Sequence, residues 1–279
     1  MNARDIMTSP VYTVSPNETV AHARNLMVRH RISRLLVIEE DALTGILTKK
    51  DIAYRLRQGE PAWRRRPLDR IPVGVLATGN PVTVSPDSPV LMVARLFVER
   101  IISSVPVIEA GRIAGIVTKT DLMKSALVRN LSGTVKDVME DVSVVSRYHS
   151  LNHVVSVMKV RNDKVLVCDE EGAPAGIITE TNLAFYEDEP RISGVVGKDV
   201  TISRRETAQG RSGQAMLSVA AVTAGDVMTS PVITVPGGTD LKEAIAMMGR
   251  HHVNSLVVME DGTISGIVKR DDIIKEVAK

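Results

Sequence analysis

A seven-residue phrase is written four times along the chain: Gly45-Ile46-Leu47-Thr48-Lys49-Lys50-Asp51, Gly115-Ile116-Val117-Thr118-Lys119-Thr120-Asp121, Gly176-Ile177-Ile178-Thr179-Glu180-Thr181-Asn182 and Gly266-Ile267-Val268-Lys269-Arg270-Asp271-Asp272. Recurrence of this kind marks an array of one supersecondary unit, stacked so that each copy covers its neighbour. The frame extends upstream. A strand-like segment ends at Val14, Val84, Val145 or Val235, at the same distance from the repeat glycine in all four copies with no gap between. The first unit opens Asp5-Ile6-Met7-Thr8-Ser9-Pro10-Val11 and the fourth Asp226-Val227-Met228-Thr229-Ser230-Pro231-Val232. The third has a version one residue shorter from Asp137-Val138-Met139, and the second keeps only Asn80-Pro81-Val82-Thr83-Val84.

Periodicity changes in a fixed order inside each copy. Pro10 to Val14 reads as a short strand, and Ser15-Pro16-Asn17-Glu18 offers a turn and helix-start residues. The apolar positions Val20, Ala23 and Met27 recur as Val90, Val93 and Phe97, as Leu151, Val154 and Met158, and as Leu241, Ala244 and Met248. That spacing stacks them on one helical face. Then follow an apolar strand (Leu35 to Ile38), a polar turn (Glu39 to Asp41), and a strand from Gly45 to Leu47 that runs through Thr48 into a helix beginning near Asp51. The unit is β-α-β-β-α. One such unit buries too little apolar surface to stand alone, so pairing is expected.

Composition fits this reading. The 279 residues are 44% hydrophobic and 24% charged, an ordinary globular balance, but only 3% aromatic, so the core must be aliphatic and methionine-rich. The single Cys168 makes no intrachain disulfide and no cysteine metal cluster, which suits a reducing cytoplasm. The start, Met1-Asn2-Ala3-Arg4-Asp5, lacks the apolar run of a signal peptide, and no stretch reaches membrane-span length. His149 and His153 stand one helical turn apart without an acidic partner between them, so no metal site is expected. No nucleophile elbow, P-loop or useful carboxylate pair is found, and no catalytic residue is assigned.

The repeat glycines are 70, 61 and 90 residues apart, and the extra length lies in Gln58 to Gly74 and Glu187 to Thr223. Arginine gathers in both stretches: Arg64, Arg65 and Arg66 in one, Arg204, Arg205 and Arg211 in the other. A net charge of +2 excludes a nucleic-acid polyelectrolyte, and few aromatics argue against a base-stacking platform. The local clusters read either as solvated surface and intersubunit salt bridges or as a docking patch for RNA or an acidic protein.

The order Asp-Val-Met, Pro-Val, amphipathic helix, Val105-Pro106-Val107-Ile108 and Gly-Ile-Val-Thr-x-x-Asp resembles the CBS domain, the module named after cystathionine β-synthase, over nearly the whole chain. The resemblance implies an α/β fold of four β-α-β-β-α repeats packed as two pseudo-twofold pairs, or Bateman modules. The expected repeats are residues 1–57, 72–130, 131–187 and 222–279, with 188–221 an arginine-containing insertion. It further implies clefts that bind an adenosine ligand (AMP, ADP, ATP or S-adenosylmethionine), with no other cofactor required. Four repeats and little else is similar to the γ subunit of AMP-activated protein kinase and to stand-alone archaeal and bacterial proteins. A flat disc formed by the two pairs or by a homodimer is implied as well.

The motif's chemistry has two readings. Thr three residues before Asp at a helix start makes a capping box, in which both side chains satisfy orphan backbone N–H groups. A helix start also attracts phosphate, and a carboxylate there can accept from a ribose diol. The resemblance implies the second for Thr48 with Asp51 and Thr118 with Asp121. Asn182 beside Thr179 loses the charge but keeps hydrogen-bonding capacity, and Asp272 has Lys269 in place of threonine. A basic residue before the central strand would neutralise phosphate; Arg34 matches that pattern directly, Ser103, Ser104 and Lys164 occupy related places, and Lys49, Lys50, Lys119 and Arg270 could add charge. The expected function is that of a non-enzymatic cytoplasmic sensor that modulates a protein or ribonucleoprotein partner. The alternative is an RNA- or ribosome-binding factor, such as a ribosome-associated dormancy factor, that uses the arginine insertions with nucleotide as modulator.

Overall fold

The computed structural model describes residues 1–52, 67–160, 164–185 and 222–279. In the first repeat, strand Thr13–Val14 runs parallel to the central strand Arg34–Glu39, which pairs antiparallel with Ala42–Thr48. Helix Val20–Arg29 connects the first two, and Thr19 Oγ1 caps it by accepting from the His22 N–H at 3.1 Å. The first strand is shorter than its sequence suggests and holds only Thr13 and Val14. In the second repeat it shrinks to the single parallel bridge Val84–Val107. The third and fourth repeats keep the three-stranded order, through Ser143–Ser146, Lys164–Cys168 and Pro174–Thr179, and through Thr234–Pro236, Ser255–Glu260 and Thr263–Lys269.

The expected helical stripes are the buried faces. Val20, Ala23 and Met27 are fully enclosed, and so are Val90, Val93 and Phe97. Val154, Met158, Leu241, Ala244 and Met248 are buried, and Leu151 is partly so. Each full enclosure of a large aliphatic side chain contributes about 1.5–3 kcal/mol, and the repetition of such layers replaces the large ring-built core that this chain lacks.

Register corrects the gapless alignment in one place. The central strand's first residue faces the motif residue across the hairpin as Arg34 to Thr48, Ser104 to Thr118 and Ser255 to Lys269. In the third repeat it is Lys164 that faces Thr179, so Lys164 corresponds to Arg34 and not to Ser33. That hairpin turns through five residues between Cys168 and Pro174, whereas the others turn through two with positive φ at both, as at Glu40 and Asp41. Asp169 Oδ1 holds the longer turn by accepting from the N–H groups of Glu171 and Ala173. A shorter approach from the helix compensates it, so equal overall spacing hides two opposite length changes.

Segments exchange between repeats. The stretch before the first repeat's own strand bridges the second repeat's sheet at Thr8–Ile116, and Thr78–Gly79, ahead of the second repeat, adds to the first repeat's sheet opposite Ile46 and Gly45. The same exchange joins Glu140 to Ile267 and Thr229 to Ile177. The repeat glycine makes room for it: a Cβ at Gly115 would lie 2.8 Å from Met7 Sδ, and one at Gly176 only 2.5 Å from Met228 Sδ. At Gly266 it would meet the Glu140 carbonyl oxygen at 2.7 Å. The methionine of the Asp-Val-Met phrase and the glycine of the seven-residue phrase are therefore two halves of one contact.

By packing, the chain divides into Met1–Val142 with Val232–Lys279, and Ser143–Pro231. In the first unit one apolar cluster joins the second and fourth repeats, with Phe97, Val105 and Leu122 alongside Leu241, Leu256 and Ile273. The second unit has its own cluster, in which Ala224 and Val227 pack with Val154, Val165 and Ile178. Among the described residues no helix is long and apolar enough to cross a membrane.

Candidate ligand-binding site

The strand-to-helix junction that ends each hairpin is held by the same hydrogen bonds. Asp51 Oδ2 accepts from the Thr48 N–H and hydroxyl, both at 2.7 Å, and Thr48 Oγ1 accepts from the Asp51 N–H at 3.2 Å. In the second repeat the corresponding distances are 2.8, 2.6 and 3.3 Å. This is a capping box. A second series of capping boxes, at Asn2 with Asp5, Thr134 with Asp137 and Thr223 with Asp226, has the same local form at the starts of the exchanged segments. Capping alone therefore does not distinguish the seven-residue motif.

What distinguishes it is the neighbour. Thr8, from the exchanged segment, donates its hydroxyl toward Asp121 Oδ1 at 3.3 Å, while Asp121 Oδ2 serves the cap. One carboxylate oxygen fixes the helix start and the other faces the segment of the paired repeat. In the third repeat Asn182 Oδ1 caps Thr179, and Asn182 Nδ2 donates to Thr229 Oγ1 at 2.8 Å. The outward group is there a donor, which cannot accept from a diol.

The fourth repeat closes on itself. Glu140 takes the place that Thr8 and Thr229 hold in their segments, and Lys269 takes the motif threonine's place. The two changes fit together: Lys269 Nζ reaches Glu140 at 2.7 Å, and Lys275 Nζ reaches Glu140 at 2.8 Å and Asp272 at 3.1 Å. Asp272, only 3% exposed, also accepts from the Lys269 N–H at 2.9 Å. Burial, then the hydrogen bond with Glu140, raises the Asp272 carboxyl to about 6. The hydrogen bond with Asp272, with help from Lys269 and Lys275, lowers Glu140 to about 2. Lys269 and Lys275 surround the two carboxyls, and Asp272 is committed to that network.

Arg34 crosses from the first repeat to the second and donates to the Ser103 carbonyl oxygen at 2.6 Å; that oxygen also accepts from the Lys119 N–H. Ser104 is buried opposite Thr118. Thr48, Asp51, Arg34, Ser103, Ser104, Thr118 and Asp121 thus belong to one packed unit, and Lys164, Thr179 and Asn182 to the other. Arg64, Arg65, Arg66, Arg204, Arg205 and Arg211 lie outside the described residues. Among the described residues no group of three or more histidine, cysteine or acidic side chains is arranged to hold a metal ion. His149 instead accepts from the Ser146 N–H through Nδ1 and packs edge-on against His153.

Sequence reasoning did not single out Thr8, Thr229 and Glu140 as site residues. Their signal was the residue after the methionine in the opening phrase, and it acquires meaning only once the segments are seen to exchange.

Comparison with known proteins agrees with this architecture. The CBS domain family matches residues 3–58, 68–127, 135–189 and 224–279. The chain is 31% identical over 134 residues to the CBS domain-containing protein YhcV of Bacillus subtilis, covering 48% of this chain and 91% of that protein. Protein MJ1225 of Methanocaldococcus jannaschii, whose crystal structure is described as that of a candidate archaeal homologue of g-AMPK, superposes with a TM-score of 0.76 at 21% identity over 99% of both chains. An uncharacterized conserved protein from Pyrococcus horikoshii superposes with a TM-score of 0.63 at 19% identity, covering 99% of this chain and 100% of that one. Four copies of the motif, four matched segments and the shared fold lead to one conclusion: the chain belongs to the CBS-domain family.

Proposed function

We propose that the protein is a non-enzymatic regulator that binds an adenosine nucleotide in the cleft formed by its first two repeats and modulates a partner according to ligand state. The observation that carries this reading is the division of labour at Asp121, whose Oδ2 caps the helix while its Oδ1 points toward Thr8 of the exchanged segment. An acceptor held rigidly at that place suits a ribose diol. Thr48 with Asp51 repeats the junction in the first repeat, and Arg34 adds positive charge between the two. The third repeat presents an amide and the fourth an internal ion network, so occupancy is expected to concentrate in the first pair.

The test is titration calorimetry of the full chain with AMP, ADP, ATP and S-adenosylmethionine. At least one should bind with a Kd below millimolar. Absence of measurable heat from all four at millimolar concentration would refute the reading.

A further inference from the structure

We propose that the turn at residues 146–149 of the third repeat is an acid-released latch for the exchanged segment that carries Thr229, opened when the His149 imidazole takes up a proton. The inference stands independently of the nucleotide reading of the first pair, because every group in it belongs to the other packed unit.

Each exchanged segment docks in the same way, on the turn between a repeat's first strand and its helix. Two N–H groups at the start of the segment donate to two carbonyl oxygens of that turn. In the third repeat Ala224 donates to His149 and Gly225 to Arg147, both at 2.8 Å, much as Ala3 and Arg4 donate to Ser88 and Pro86 in the second. The turn is in its own right closed by a side chain that accepts from the N–H three residues before it. That acceptor is Glu18 Oε2 at 2.7 Å in the first repeat, Ser88 Oγ at 3.1 Å in the second, and His149 Nδ1 at 3.2 Å, from Ser146, in the third.

A carboxylate or a hydroxyl accepts throughout the neutral range, whereas imidazole as a class changes charge between about pH 5 and 8. Nδ1 accepts from Ser146 only while bare; with a proton it becomes a donor facing an N–H. The surroundings oppose the new charge as well. The turn itself brings Arg147, whose guanidinium lies 5.9 Å from the Tyr148 ring centroid. Helix Leu151–Val160 brings the His153 ring, centroid to centroid at 4.2 Å, together with its own positive N-terminal end. The neighbouring carboxylates are engaged elsewhere: Glu170 accepts from the Tyr148 hydroxyl at 2.7 Å, Asp169 holds the hairpin turn, and Asp226 caps the segment at Thr223. Acid therefore breaks the closing bond and sets like charges side by side, which displaces the carbonyl oxygens on which Ala224 and Gly225 dock. The segment that leaves takes Met228 from Gly176 and Thr229 from Asn182, and so undoes the third repeat's junction.

Amide hydrogen exchange of the full chain, read by mass spectrometry at about pH 7.5 and about pH 5.5 and corrected for intrinsic exchange rates, tests this. In the wild type the protection of residues 222–229 should fall by about threefold or more on acidification, while that of residues 1–8, which dock on the Ser88 turn, should change by less than about twofold. His149→Ser copies the closing group of the second repeat and should hold residues 222–229 equally well at both pH values. Should that variant melt below the wild type near neutral pH, His149→Asn, whose side-chain carbonyl accepts without titrating, takes its place. No fall in the wild type, an equal fall in residues 1–8, or the same fall once His149 is replaced would each overturn the latch.

Discussion

A carboxylate has two oxygens, and the motif copies differ in what the second one does. In Asp121 it faces Thr8, and in Asp272 it is buried against Lys275, beside Glu140. The difference has a pH signature. The folded-state value of Asp272, about 6, lies above its ordinary value of 3.8, so its contribution is fully present below about pH 4 and is lost as pH rises through 6. Glu140, lowered from 4.5 to about 2, contributes above 4.5 and loses that contribution as pH falls toward 2. Acting together, the two place the network's best stability near pH 4 to 4.5. Urea denaturation of Asp272→Asn between pH 4 and 7 should therefore show a flatter fall in stability than the wild type over the pH 4 to 6 window. Identical slopes would mean that Asp272 carries no excess proton. The sequence showed the Lys269 replacement as a departure from the motif. That Glu140, well over a hundred residues away, changes with it could not be read before the segment exchange was known.

At the scale of elements, the exchange of segments between repeats brings Thr8 to Asp121, Thr229 to Asn182 and Glu140 to Lys269. It depends on the absence of a Cβ where methionine crosses the sheet. All three nearest neighbours of a Cβ at Gly176 would be Met228 side-chain atoms, the closest 2.5 Å away. Gly176→Ala should cost about 1–3 kcal/mol by overpacking, and a double-mutant cycle with Met228→Ala should show a coupling of about 0.5–3 kcal/mol that relieves part of it. Chemical denaturation of the four proteins checks this; additive losses would show that methionine and glycine are independent. Strands, helices and buried stripes were legible because periodicity reports burial directly. The first strand of the second repeat was not, since a parallel bridge of one residue leaves too little pattern to read. The displaced register of Lys164 was hidden because a longer turn and a shorter approach cancel in the residue count.

At the scale of the whole molecule, four copies of one unit have taken three courses: intact motifs in the first two repeats, an amide in the third, and an ion network in the fourth. The array itself was plain in the sequence, because stacking demands the same glycine and apolar stripe in every copy. The division of roles was only partly plain, because it resides in pairs of positions that belong to different repeats. Arg34 meets Ser103, Arg270 meets Thr120, and Lys269 meets Glu140. The central claim is that nucleotide occupancy belongs to the intact copies. Native mass spectrometry of the full chain with AMP, comparing wild type with the Asp51→Ala/Asp121→Ala double variant, addresses it most directly. Loss of the two caps costs about 1 kcal/mol of stability each, so the variant should remain folded, as its melting curve will report. The account predicts that bound AMP disappears in the double variant; the same number of bound nucleotides at the same affinity in both proteins would contradict it.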